Sequence, residues 1–172
     1  GTLYVGQTVE FTLNASDNVG VTEWLLTVDD QDVTVEDGKA TYVFTSEGNY
    51  TVVATVRDAA GNETSKSLTL QVVVDNVLPI VSVTHNGGSA IAAGKTVDFT
   101  VKATDNVGVL KHFLTINGET IVLDSDNVGR FTFTQAGTYE VIASAKDAMG
   151  NEGVKIITIT VVEDTAAPSV TV

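Results

Sequence analysis

Residues 48–63 read Gly-Asn-Tyr-Thr-Val-Val-Ala-Thr-Val-Arg-Asp-Ala-Ala-Gly-Asn-Glu, and residues 137–152 read Gly-Thr-Tyr-Glu-Val-Ile-Ala-Ser-Ala-Lys-Asp-Ala-Met-Gly-Asn-Glu. In the first stretch Tyr50, Val52, Ala54 and Val56 fall on one face of an extended chain; in the second, Tyr139, Val141, Ala143 and Ala145 do the same. A period of two is the signature of a strand. Each stretch then runs into Asp-Ala-x-Gly-Asn, a turn, and on to a second alternating run: Leu68, Leu70 and Val72 in one case, Ile157, Ile159 and Val161 in the other. Strand, glycine-containing turn, strand is the pattern of a hairpin.

The duplication extends outward from these hairpins. Residues 8–21, Thr-Val-Glu-Phe-Thr-Leu-Asn-Ala-Ser-Asp-Asn-Val-Gly-Val, match residues 96–109, Thr-Val-Asp-Phe-Thr-Val-Lys-Ala-Thr-Asp-Asn-Val-Gly-Val. The chain is therefore a tandem duplication, each copy of about 89 residues having the size of one small domain. Val9, Phe11, Leu13 and Ala15 alternate with polar neighbours, as do Val97, Phe99, Val101 and Ala103. Leu26 with Val28, Tyr42 with Phe44, Leu114 with Ile116, and Phe131 with Phe133 supply further short strands, and nothing reads as helix. Seven or so short strands per copy, separated by turns, predict an all-β chain of two tandem Ig-like antiparallel β-sandwich domains. Tyr50 and Tyr139 stand where a tyrosine corner belongs.

The copies are out of phase with the chain ends. Pro79-Ile80-Val81-Ser82-Val83 reads as the first strand of copy two, a strand that copy one lacks, and Pro168-Ser169-Val170-Thr171-Val172 repeats it. The expected organisation is repeat 1 over residues 1–75, repeat 2 over 76–165, and the first strand of a following repeat over 166–172, as in a piece of a longer array.

Composition excludes several classes. Nine Lys and Arg against 22 Asp and Glu give a net charge of −13, which argues against a nucleic-acid partner. A hydrophobic content of 43% is enough for a packed interior. No apolar run approaches the roughly 18 residues of a membrane span, and no Cys is present to form disulfides, zinc ribbons or a thiol nucleophile.

Tyr-x-Val-x-Ala-x-x-x-Asp-Ala-x-Gly-Asn-Glu, an apolar strand, then Val-x-Asp-x-x-x-Pro-x-Val-x-Val resembles the closing half of the bacterial Ig-like and PKD-like repeats that occur in tandem on secreted and cell-surface proteins. The Asp-Asn-x-x-Pro linker is also similar to that of cadherin repeats. The resemblance covers both copies nearly end to end, and implies an extracellular or cell-surface location with neighbouring repeats as partners.

The shared polar residues fall in two loops that an Ig-like strand order places at one pole. Asp105 and Asn106 then face Asp147, Asn151 and Glu152, and the linker Asp75-Asn76 arrives at the same end. Copy one repeats the set as Asp17, Asn18, Asp58, Asn62 and Glu63, without a linker aspartate, so its site is expected to be the weaker. Two readings of these residues stand side by side. Calcium takes roughly 6 to 8 oxygen ligands in irregular geometry, and converging carboxylates repel one another unless a cation neutralises them. Alternatively, Asp and Asn cap their own turns, and Gly61 and Gly150 supply the left-handed position.

Other candidates are poorer. The acidic run Asp29, Asp30, Asp32, Glu36 and Asp37 reads as a solvated connection. His85 and His112 read as half-buried strand residues, Trp24 as a core or rim residue, and Lys66 and Lys155 as surface lysines rather than partners in isopeptide bonds. With no distinct catalytic set, the expected function is that of a non-catalytic spacer or stalk, stiffened by calcium at the inter-repeat junction. The alternative is an adhesive module that binds a carbohydrate or protein.

Overall fold

The computed structural model describes residues 1–171, and the chain divides after Asp75 into two compact units. The first contains β1 (Leu3–Tyr4), β2 (Thr8–Thr12), β3 (Val21–Val28), β4 (Gln31–Val33), β5 (Lys39–Val43), β6 (Gly48–Asp58) and β7 (Glu63–Val73). The second contains β8 (Ile80–His85), β9 (Ile91–Ala92), β10 (Thr96–Thr104), β11 (Val109–Ile116), β12 (Glu119–Thr120), β13 (Val128–Thr132), β14 (Gly137–Asp147) and β15 (Glu152–Val162). No helix among the described residues is long and apolar enough to cross a membrane.

Each unit is a two-layer sandwich. In the second, a five-stranded sheet ordered β12-β11-β14-β15-β9 faces a three-stranded sheet ordered β13-β10-β8. The first repeats this as β4-β3-β6-β7-β1 facing β5-β2. The two duplicated hairpins are β6–β7 and β14–β15; in the latter Lys146 pairs with Glu152 and Gly137 with Val161. The apolar alternation buries one face of each strand. Leu114, Ile116, Val141 and Ala143 from one sheet meet Val97, Phe99, Val101 and Phe133 from the other, all 0–1% exposed. In the first unit Leu26, Val28, Phe44, Val52 and Val72 take the equivalent places.

Tyr50 Oη donates to the Ser46 carbonyl at 2.9 Å, and Tyr139 Oη to the Gln135 carbonyl at 3.0 Å. Both tyrosine corners are therefore formed, and each ring also packs edge-on against a core phenylalanine, Phe44 or Phe133. His85 and His112 are half buried on β8 and β11, with His85 beside the Phe99 ring at 5.7 Å.

The two copies differ along one edge. β10 runs to Thr104 because β8 pairs with its second half, from Phe99–His85 to Thr104–Ile80. β2 stops at Thr12, although the alternation continues through Leu13 and Ala15, because no strand of the described residues lies on that edge. Alternation alone does not make a strand; the backbone N–H and C=O groups need a partner ladder. The same rule accounts for residues 163–171, expected to hold a strand from 168 onward, which form none; Val172 lies outside the described residues. The two-residue strands β1 and β9, parallel to β7 and β15, are too short for periodicity to reveal.

Candidate metal centre

Three loops or connections supply the acidic pole of the second sandwich: the segment between β7 and β8, the loop between β10 and β11, and the turn between β14 and β15. Asp75, Asp105 and Asp147 come one from each, and each offers a carboxylate oxygen within 4.8 Å of the other two. Asp75 and Asp147 are 2% exposed.

Turn chemistry accounts for part of this arrangement. Asp105 Oδ1 accepts the N–H groups of Val107 at 2.9 Å and Gly108 at 3.0 Å, closing the loop on itself. Asp147 Oδ1 accepts the Asn151 N–H at 2.8 Å and Oδ2 accepts Asn151 Nδ2 at 2.6 Å. Burial is the largest single influence on Asp147 and raises its pKa. The side-chain and backbone N–H donors of Asn151, with those of Gly150 and Met149, together outweigh it and hold the carboxyl below its usual range. Turn bonding does not account for the second oxygen of Asp105, which is buried and has no hydrogen-bond partner among the described residues. Two carboxylates about 5 Å apart repel by about 3 kcal/mol at an effective dielectric of about 20, and an orphaned buried oxygen adds a desolvation cost.

The other residues read as ligands from sequence are disposed differently. Glu152 turns away to Lys146 at 3.4 Å, and its pKa is lowered by a hydrogen bond from Ser144 and by that lysine. Its place at the head of β15 points it along the sheet surface, opposite Lys146 in the ladder. Asn151 spends its amide N–H on Asp147, while Asn76 and Asn106 are exposed.

Copy one shows the turns without the third carboxylate. Asp17 Oδ1 accepts the N–H groups of Val19 and Gly20, and these bonds lower its pKa. Asp58 accepts both the side-chain and the backbone N–H of Asn62, which lower its pKa in turn. Asp17, Asp58 and Asn62 line one open cavity of about 240 Å³. Asn18 is exposed, and Glu63 is drawn to Arg57 at 2.6 Å. Among the described residues no third acidic group joins Asp17 and Asp58 in a cluster of the second sandwich's kind.

The sequence reading missed one residue that shapes this pole. Gly153 stands against the incoming segment, where an added Cβ would lie 1.7 Å from the Pro79 carbonyl oxygen. The only signal was the difference between copies, since the aligned position in copy one is Thr64.

Comparison with known proteins gives the following. Residues 2–74 match the family model of the PKD domain. No curated protein matches by sequence. Among solved structures, the chain is similar to the fibronectin(III)-like modules of CbhA from Clostridium thermocellum, at 16% identity over 99% of this chain and 93% of that one, TM-score 0.47. It is also similar to SGBP-B of the Bacteroides ovatus mixed-linkage glucan utilization locus, solved with a mixed-linkage heptasaccharide, at 18% identity over 94% of this chain and 42% of that one, TM-score 0.35. The Ig1-2 module of the Drosophila receptor tyrosine phosphatase DLAR is similar at 15% identity over 93% of each chain, TM-score 0.37. The PKD match covers residues 2–74, the first of two tandem Ig-like β-sandwiches that make up the chain.

Proposed function

We propose that this chain is a non-catalytic spacer from a larger extracellular or cell-surface protein, its repeats stiffened by calcium held at Asp75, Asp105 and Asp147. The observation that carries the reading is the convergence of three carboxylates from three separate segments, two of them almost wholly buried. A buried, unneutralised acidic cluster is costly, and a divalent cation turns that cost into attraction. The donors are all oxygens, the chemistry of a hard cation. Calcium suits them better than magnesium because it accepts irregular sets of six to eight oxygens, completed by backbone carbonyls and water.

When bound, the ion would tie the Asp75 segment to the two loops of the second sandwich. Asp105 would contribute the oxygen its own turn does not use. Asn151 would hold Asp147 in orientation, the second layer of support common to metal sites. A non-catalytic role agrees with the rest of the chain: the carboxylates of the pole are engaged in turns and with one another, and the histidines are half-buried strand residues.

Equilibrium dialysis of the chelator-treated chain against calcium tests the reading. About one ion bound per chain at tens of micromolar calcium is expected, falling at least tenfold in affinity in Asp105→Ala. Binding below detection at millimolar calcium would overturn it.

A further inference from the structure

Alternate residues of β11, β14 and β15 point away from the core of the second sandwich and form rows across the outer face of its larger sheet. Two adjacent rows carry Phe113 with Val154 and Ile142 with Ile156. Val154 and Ile156 are 54% and 53% exposed, and Phe113 and Ile142 are half buried. In the first sandwich Ser65 and Ser67 take the places of Val154 and Ile156, and Ser65 Oγ is bonded to Thr55 Oγ1 at 2.8 Å. The row at the end of this face differs in charge. In the first sandwich Arg57 sits between Glu23 at 3.0 Å and Glu63 at 2.6 Å. The same row of the second is Lys111, Lys146 and Glu152, two cations against one anion. Lys146 meets Glu152 at 3.4 Å, whereas Lys111 lies opposite Lys146 and over the Phe113 ring at 5.1 Å. Like charges facing each other across a ladder are unfavourable. Beyond the two apolar rows stands Glu140, exposed and in no ion pair among the described residues.

Turned end for end, this order of surplus cation, two apolar rows and lone carboxylate complements itself. We propose that the face joins two molecules of the chain as a symmetric dimer, their strands antiparallel across a two-fold axis between the Ser144 and Ile142 rows. The Lys111 and Lys146 end of one molecule then lies over Glu140 of the other, and Val154 meets Ile156. Each molecule supplies the same patch, so the contact is isologous and closes at two. A chain of net charge −13 repels its like over most of its surface. On this face the surplus cation and the lone carboxylate meet, and the parallel arrangement is rejected because it sets like charges against each other. The face runs about 20 Å along the strands, small for a stable interface, so the dimer is a weak one.

Sedimentation equilibrium of the chain at physiological salt, from micromolar to several hundred micromolar, tests this. A monomer–dimer equilibrium with a dissociation constant on the order of 100 µM is expected. Lys111→Glu and Glu140→Lys should each weaken it at least tenfold, since each sets like charges face to face. The variant carrying both changes should return to within about threefold of the parent, because the two ends are again of opposite charge. Changing Val154 and Ile156 together to serine gives this face the residues that the first sandwich already accommodates. That variant should keep the circular dichroism of the parent and dimerise at least tenfold more weakly. A chain that stays monomeric at several hundred micromolar overturns the proposal. So does association unchanged in the two-serine variant, or a double charge variant no better than the single ones. Monomers whose Phe113 and Ile156 amide resonances shift with a mixed-linkage oligosaccharide would also overturn it and give the face to a glycan.

Discussion

Asp105 and Asp17 occupy the same place in the two copies and make the same turn, each accepting two backbone N–H groups three residues or fewer ahead. The turn is therefore not what separates them. Asp105 has a buried second oxygen and two carboxylates close by, whereas Asp17 is exposed. The contrast yields a paired prediction. Asp105→Ala should remove most of the stabilisation by calcium, and Asp17→Ala should leave it within about 0.5 kcal/mol of the parent, as surface substitutions usually do; denaturant melts with and without calcium compare them. A second residue prediction concerns Gly153. Gly153→Ala drives a methyl group into the Pro79 carbonyl, so the second sandwich should lose about 3 kcal/mol, at the upper end for overpacking. Calcium affinity should fall with it, because the displaced segment carries Asp75. Thr64→Ala in copy one should cost less than about 1 kcal/mol in the same urea titration. The acidic residues were legible in the sequence because they repeat. Which of them meet was legible only in part: the strand order places Asp75, Asp105 and Asp147 at one pole, but nothing local announces that Glu152 prefers Lys146.

The strands follow their alternation closely, since each inward set has a facing sheet to bury against. The exceptions are informative about what alternation omits. Leu13 and Ala15 continue the pattern of β2 but lie outside its ladder, while the equivalent Val101 and Ala103 pair with β8. Register and pairing depend on a partner elsewhere in the chain, which a local period cannot supply. The tyrosine corners show the opposite case, in which one residue at one position announces its bond. Tyr139→Phe removes the hydroxyl but keeps the ring against Phe133, so it should cost about 1 kcal/mol, the usual net worth of one hydrogen bond. Phe133→Ala empties a fully buried site ringed by Phe99, Phe131 and Tyr139 and should cost about 3 to 5 kcal/mol. Thermal melts of the two variants rank these losses, and a larger loss for Tyr139→Phe would contradict this account of the core.

Taken as a whole, the chain contains two copies of one sandwich with unequal interiors. Among the described residues the larger buried cluster of the second has 13 members, against 6 in the first, where the inward Leu13, Ala54 and Val56 stay half buried. Burial sets the main favourable term in folding, so the second sandwich should be the more stable. Amide exchange should accordingly protect β14 more strongly than β6. On the proposed reading, an ion bound where Asp75, Asp105 and Asp147 converge would add to that difference. At about 100 times its dissociation constant an ion adds about 2.7 kcal/mol to the folded state, which for a domain of this size moves the melting temperature by about 15 °C. The most direct measurement is calorimetry of the chain in millimolar calcium and in chelator, at one ionic strength. The account predicts that the transition of the second sandwich rises by about 15 °C with calcium while that of the first moves by no more than a degree or two, and that Asp105→Ala abolishes the rise. Superimposed traces in calcium and chelator would contradict it and leave Asp75, Asp105 and Asp147 as turn residues alone.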